Sequence, residues 1–105
     1  MLDFYIPKRH NKEFITVNNT KYYLVHRGIY GNVSYQILLK VSNRLLYLEL
    51  VNDSGKWSFH VEHKENLIFD SKIGKVFYKT PEEAHSEMIN SIFLKYLQSN
   101  GSTTL

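Results

Sequence analysis

Residues 32–63 read NVSYQILLKVSNRLLYLELVNDSGKWSFHVEH, and this stretch predicts three consecutive antiparallel strands. Between Val33 and Val41 the odd-numbered positions are apolar and most even-numbered ones are polar, which is the period-2 pattern of a half-buried strand. The pair Ser42-Asn43 suits a two-residue hairpin turn, because Asn tolerates a left-handed backbone. A turn at this point brings the apolar positions of two strands together in three facing pairs: Tyr35 with Leu50, Ile37 with Leu48 and Leu39 with Leu46.

A second turn signal, residues 52–55 with the sequence Asn-Asp-Ser-Gly, predicts a four-residue loop before the third strand. Closing the chain there predicts three further apolar pairs: Leu50 with Trp57, Leu48 with Phe59 and Leu46 with Val61. Two independent turns therefore place apolar side chains on one common face, called the core face below. A slip of one residue would turn the apolar side chains of a strand to the other face, so this agreement specifies which face is buried.

The opposite face of these three strands, called the outer face below, carries Leu38, Leu45, Tyr47 and His60. The predicted register on that face gives four pairs: Leu38 with Tyr47, Tyr47 with His60, Leu45 with Glu62 and Gln36 with Glu49. Four side chains of this face are more apolar than a solvent-facing surface requires: Leu38, Leu45, Tyr47 and Val51. Either another strand or the N-terminal segment covers them, or they form an exposed apolar patch for a partner.

The tetrapeptide Thr-Pro-Glu-Glu that begins at Thr80 is the clearest local signal in the chain and predicts a helix over residues 80–99. Thr80 suits the N-cap, Pro81 suits the first helical position, and Glu83 completes a capping box. His85, in the first turn, is predicted to be an ordinary surface residue. The apolar residues recur with helical spacing and predict one stripe packed on the sheet: Ala84, Met88, Ile89, Ile92, Phe93, Tyr96 and Leu97.

Two further hairpins are predicted outside the central stretch. They are Glu13–Val17 with Lys21–Arg27 around Asn18-Asn19, and Leu67–Phe69 with Lys75–Lys79 around residues 71–74. The fold class is therefore α+β, a curved antiparallel sheet of about five to seven strands with one C-terminal helix packed across one face. The single domain, residues 1–105, divides into four parts: 1–12 as an irregular basic lead-in, 13–79 as the sheet, 80–99 as the helix and 100–105 as a tail.

Length and composition are those of one folded globular domain. The chain has 105 residues, 43% of them hydrophobic, and it lacks cysteine, which excludes a disulfide framework and a thiolate metal site. No apolar run approaches the roughly 18 residues of a membrane-spanning helix, and residues 1–12 lack the apolar core of a signal peptide. We therefore expect a cytoplasmic protein without a membrane partner. Lysine outnumbers arginine ten to three, and this bias is typical of AT-rich genomes such as those of low-GC bacteria and their phages.

The positive charge is concentrated in the first half of the chain. Residues 1–48 carry seven basic and two acidic side chains, a net charge of +5, whereas the whole chain carries +3. This asymmetry favours an anionic partner on the N-terminal half, and Tyr22, Tyr23 or Tyr30 could stack on bases. The candidate phosphate contacts are the basic residues of that half: Lys8, Arg9, Lys12, Lys21, Arg27, Lys40 and Arg44.

Residues 60–63, His-Val-Glu-His, form the one constellation that resembles a chemical site. On a strand His60 and Glu62 share a face while His63 points to the other, so the two histidines diverge. A metal ion would need a third ligand from elsewhere, such as His26 or Glu49. No serine stands in the context of a nucleophile elbow. We therefore predict no metal site, no cofactor and no catalytic residue.

Two functions of different classes follow from these observations. The first is a small non-catalytic protein-binding module that engages a protein partner, or a second copy of itself, through the outer face or through an edge strand of the sheet. A phage- or plasmid-type inhibitor or adaptor that acts on a host protein would fit this description. The alternative is a nucleic-acid-binding module that uses the basic N-terminal half and exposed tyrosines.

Overall fold

The computed structural model describes residues 2–8 and 12–97, which form a seven-stranded antiparallel sheet with one helix packed against it. Strands β2 to β7 lie side by side in chain order, and β1 pairs separately with β4. The predicted α+β fold with a C-terminal helix on a curved sheet is confirmed. The elements are β1 (Asp3–Tyr5), β2 (Phe14–Val17), β3 (Thr20–Arg27), β4 (Val33–Val41), β5 (Arg44–Asp53), β6 (Lys56–His63), β7 (Asn66–Asp70) and α1 (Pro81–Ile92).

The register of β4 with β5 agrees with the prediction, whereas that of β5 with β6 differs from it by two residues. The cause is the turn, which consists of Ser54 and Gly55 alone and is closed by Asp53 opposite Lys56. Because the shift is even, every side chain stays on its predicted face. The facing pairs on the core face are Leu50 with Phe59, Leu48 with Val61 and Leu46 with His63.

The same shift corrects two of the four pairs predicted for the outer face. Tyr47 lies opposite Glu62 instead of His60. Leu45 lies opposite Lys40 of β4 and beyond the end of the β6 ladder, so its predicted pairing with Glu62 is wrong. The other two pairs are confirmed: Leu38 with Tyr47 and Gln36 with Glu49.

Two-residue turns connect four of the hairpins in the described part of the chain. Both residues of each turn have positive φ, as type I′ turns require. The turns are Asn18-Asn19, Ser42-Asn43, Ser54-Gly55 and Lys64-Glu65. The last one carries no sequence signal, because lysine and glutamate seldom adopt positive φ. It nevertheless sends the chain directly from β6 into β7.

The hairpin predicted around residues 71–74 is wrong. Strand β7 pairs with β6, and residues 75–79 form no strand. Tyr78 instead makes a single bridge to Trp57, in which each backbone N–H donates to the partner's carbonyl oxygen at 2.8 Å. The intervening loop leaves Ile73 and Phe77 exposed.

The N-terminal segment, predicted as an irregular lead-in, contains strand β1. Its three residues lie opposite the end of β4 in the pairs Asp3 with Lys40, Phe4 with Leu39 and Tyr5 with Leu38. Strand β3 pairs with the first part of β4 only, from Val33 to Gln36, so β1 continues the same edge. Arg9 and the predicted tail, residues 100–105, lie outside the described residues.

The core lies between the sheet and α1. Its most buried side chains come from the central strands and from one stripe of the helix: Leu39, Leu46, Leu48, Leu50, Val61, Ala84, Met88 and Ile92. Each fully buried leucine contributes about 2 kcal/mol relative to an exposed one. The β2–β3 hairpin folds over the same core, and both Val17 and Tyr22 are buried there.

Helix α1 begins as the sequence predicts. The Oγ1 of Thr80 accepts a hydrogen bond from the backbone N–H of Glu83 at 3.2 Å, and the same hydroxyl lies 3.2 Å from the Glu83 carboxylate. After Ile92 the chain continues as a π-helical turn, Phe93–Leu97, and Phe93 is exposed instead of joining the apolar stripe. No helix within residues 2–8 or 12–97 is long and apolar enough to cross a membrane.

His85 is buried, contrary to the prediction that it lies at the surface. Its Nδ1 contacts the hydroxyl group of Tyr22, which is fully buried on β3. At the tip of the same hairpin, the Nδ2 of Asn18 donates to the carbonyl oxygen of Glu82 at 3.3 Å. Burial lowers the pKa of His85, although the charge of Glu82 opposes this shift. The Nδ1 of a neutral His85 accepts a hydrogen bond from the tyrosine hydroxyl, and this bond joins the hairpin to α1.

Candidate functional site

The outer face is the side of the sheet that points away from α1. Its side chains come from even positions of β4 and β6 and odd positions of β5, because successive residues of a strand point to opposite faces. Tyr47 lies on β5 between Leu38 of β4 and Glu62 of β6. Leu45 precedes Tyr47 by two positions and therefore shares its face.

Exposure divides the outer face into a covered part and an open part. Leu38 is 6% exposed and lies opposite Tyr5 of β1, so the N-terminal strand covers this region. Leu45 is 40% exposed and Tyr47 is 39% exposed. Each of the two interpretations therefore applies to part of this face. Leu38 is covered by the N-terminal segment, whereas Leu45 and Tyr47 form an exposed apolar patch.

Two hollows open on either side of these two exposed side chains. The first, called the β1 groove below, has a volume of about 430 Å³ and is lined by Tyr5, Ile6, Lys8, Leu38, Lys40, Asn43 and Leu45. The second has a volume of about 590 Å³, and Tyr47, Glu62, Lys64 and Glu65 line it. Leu45 and Tyr47 therefore form a short apolar ridge with a concave surface on each side.

His60 projects from β6 between two carboxylates. Its Nδ1 lies 2.9 Å from the Oδ2 of Asp70, and its Nε2 lies 2.7 Å from the Oε1 of Glu62. A neutral imidazole has one N–H and cannot donate to two ionised carboxylates, so this geometry favours the imidazolium. Glu49 of β5 lies directly opposite His60 and brings a third carboxylate to the cluster.

The pKa values of both His60 and Glu49 are raised, for different reasons. Burial lowers the pKa of His60, but hydrogen bonds to Asp70 and Glu62 and the charge of Glu49 outweigh this effect. Burial raises the pKa of Glu49, and the charges of Glu62 and Asp70 add to the rise, while His60 opposes it. The imidazolium of His60 thus binds two carboxylates, and the third, that of Glu49, lies opposite it in the ladder. In the described part of the chain, no group of three or more His, Asp or Glu side chains could hold a metal ion.

The basic residues predicted as phosphate contacts are spread over the molecule. Arg27 lies opposite Val33 at one end of β4, and Lys40 lies at the other end, about 23 Å away at 3.3 Å per residue. Lys8 and Lys40 line the β1 groove, and Lys12 is exposed. The remaining three described residues contact side chains of this chain: Arg27 pairs with Glu13 at 2.6 Å, Lys21 lies 4.8 Å from the Phe14 ring centre, and Arg44 lies 5.1 Å from the Tyr96 ring centre.

The sequence identified the exposed ridge but missed part of its surroundings. The strand pattern predicts Leu45, Tyr47 and His60 on the outer face, and all three lie there. Tyr5 was missed because a three-residue strand is too short to show a period. Asp70 was missed as a partner of His60 because that contact depends on a turn without a sequence signal.

Fold and outer face define a small α+β domain with a half-exposed apolar ridge beside an ionised cluster. Comparison of the chain with protein-family models, curated proteins and solved structures gave no significant match. Function is therefore inferred from the chemistry of the outer face.

Proposed function

We propose that the protein is a non-catalytic protein-binding module and that its outer face receives the partner. The supporting observation is the ridge of Leu45 and Tyr47, two large apolar side chains that stay about 40% exposed on strand β5. A rigid sheet holds them in fixed positions, so little conformational entropy is lost when a partner covers them. Tyrosine is also among the residues that contribute most to binding at protein interfaces.

In its narrower form, the proposal is a small inhibitor or adaptor of phage or plasmid type that acts on a host protein. The AT-rich residue usage supports this form. A low apolar ridge between two hollows is better suited to contact with the surface of another protein than to binding a small molecule. Small molecules are usually enclosed in a deep pocket. Self-association through the same ridge is the competing outcome.

Photo-crosslinking tests the proposal directly. The amino acid p-benzoylphenylalanine is placed at position 47, and the matched control carries it at position 30, where Tyr30 is 88% exposed on a loop. We expect a discrete crosslinked protein from position 47 and none from position 30. Identical products from both positions, or none from position 47, would overturn the proposal. A product of twice the chain mass would identify the partner as a second copy.

A second candidate function is nucleic-acid binding, which the exposed Lys8, Lys12 and Lys40 favour. If this candidate is correct, fluorescence anisotropy should detect binding of labelled single-stranded DNA, duplex DNA or RNA to the protein at about 50 mM salt. This binding should weaken steeply at about 200 mM salt. A variant with glutamine at positions 8, 9 and 12 should nearly abolish that binding, whereas Tyr47→Ala should leave it unchanged. Absence of binding at the lower salt concentration would eliminate this candidate.

A further inference from the structure

The β1 groove combines an apolar floor with a positively charged rim. Four large apolar side chains form the floor: Tyr5, Ile6, Leu38 and Leu45. The rest of the described lining is Asn43 and two lysines, Lys8 and Lys40, which are its only charged residues. Ile6 is 55% exposed and Leu45 is 40% exposed, so the floor is accessible. A ligand that fits this surface must present apolar atoms to the floor and negative charge to the rim.

The two lysines are available for a partner. Among the described residues, no carboxylate lies within ion-pair distance of Lys8 or Lys40. Asp3 lies opposite Lys40 on β1, but its Oδ2 accepts a hydrogen bond from the Tyr5 hydroxyl at 2.7 Å, and Asp3 does not line the groove. Positive charge at the rim is therefore not neutralised within the groove itself.

We propose that the β1 groove binds a peptide segment of a partner protein in which a large apolar side chain is flanked by aspartate or glutamate. This inference rests on the proposed protein-binding function and names the chemistry of the partner. The apolar side chain covers Ile6 and Leu45, and the flanking carboxylates reach Lys8 and Lys40. The groove continues into the ridge through Leu45, so one segment can contact both surfaces.

The floor favours a peptide over a polyphosphate chain. A nucleic acid would place phosphates against the lysines and stack bases on aromatic rings. Tyr5 is the one ring among the described lining side chains, so the groove offers a single surface for base stacking. The exposed apolar side chains of the floor, such as Ile6 and Leu45, gain most from contact with apolar atoms of a peptide.

Selection from a random peptide library displayed on phage tests the inference on the full-length protein. Peptides that bind the wild type are sequenced, and synthetic copies are measured by fluorescence anisotropy against variants. Lys8→Gln combined with Lys40→Gln removes the rim charges, and Ile6→Ser removes an exposed part of the floor. The matched control combines Lys72→Gln with Lys75→Gln, two exposed lysines on the loop after β7.

We expect enriched peptides that combine large apolar residues with aspartate or glutamate. Their affinity should fall about tenfold when both rim lysines are replaced, since two exposed ion pairs are lost. It should also fall with Ile6→Ser and remain unchanged in the lysine control. Higher salt should weaken binding of the same peptides.

Four other results would overturn the inference, and they have different consequences for the proposed function. Peptides that lose affinity with Tyr47→Ala but not with the rim variant would keep the outer face as a binding site and reject the groove. Acidic peptides without apolar residues that respond to the rim variant would indicate a polyanion site. Peptides that respond to neither variant, or no enrichment at all, would reject the groove and count against the outer face.

Discussion

Replacing Leu48 by alanine is expected to lower the free energy of unfolding by about 3 kcal/mol or more. Leu48 is completely buried at the centre of the core face, between Ile37 of β4 and Val61 of β6. Truncation removes apolar contacts and leaves a cavity that strands on both sides keep open. A domain of this size has a total stability of only about 5 to 15 kcal/mol, so the loss should be large in a urea titration.

Leu45→Ala is the matched control, because the same chemical change is made three positions away on the other face of the same strand. Leu45 is 40% exposed, and its truncation should cost less than about 1 kcal/mol. Comparable losses from the two variants would contradict the assignment of faces. A larger loss from Leu45→Ala would indicate that the outer face is the buried one.

Replacing Asp70 by asparagine is expected to destabilise the protein and to change its response to pH. The carboxylate of Asp70 accepts from His60, and its Oδ1 also accepts from the backbone N–H groups of Lys72 and Ile73 at 2.9 and 3.3 Å. Hydrogen bonds to charged groups contribute about 1.5 to 3 kcal/mol, and an amide retains part of them. We expect a loss of about 2 kcal/mol near pH 6.5, where the wild-type cluster holds its proton.

The sign of the pH dependence follows from the raised pKa of His60. The folded protein holds this proton more tightly than the unfolded chain, so the stabilisation is complete below the unfolded pKa of about 6.5. It is lost as the pH rises through the folded pKa, when Glu49, Glu62 and Asp70 face one another without a cation. Wild-type stability should therefore decrease from about pH 6.5 to pH 8, and Asp70→Asn should reduce this slope.

Urea unfolding at several pH values above 6.5 checks both expectations, and nuclear magnetic resonance reports the pKa of His60 directly. The range stays above that value because His85 has the opposite sign. Its pKa is lowered by burial, so its contribution is lost as the pH falls below 6.5. A wild-type slope that Asp70→Asn does not change would contradict the role of the cluster.

The fold follows from the sequence to the extent that local signals agree with one another. Alternating apolar residues and the turn at Ser42-Asn43 specify the core face. The predicted length of the next turn is wrong, but a register shift of two residues leaves every side chain on its predicted face. The capping residue Thr80 specifies the helix start. These features depend on residues that are close together along the chain, so they can be predicted from a single sequence.

The remaining features depend on contacts between distant segments. Strand β1 forms because the edge of β4 beyond Gln36 is not paired with β3. The sequence of residues 3–5 contains no signal that predicts this pairing. His85 is buried because the β2–β3 hairpin folds over the helix and brings Tyr22 to it. Two of the three carboxylates around His60, those of Glu49 and Asp70, likewise come from β5 and β7, so the sequence predicted its face but not its charge state.

The affinity of the partner crosslinked through position 47 is the measurement that tests the central claim most directly. Isothermal titration calorimetry should compare the wild type with Tyr47→Ala and with the control Tyr30→Ala. A tyrosine at the centre of an interface contributes about 2 kcal/mol or more, so Tyr47→Ala should weaken binding by about 30-fold while Tyr30→Ala binds as the wild type does. Equal affinities of the wild type and Tyr47→Ala, with both proteins folded, would show that the outer face is not the binding surface.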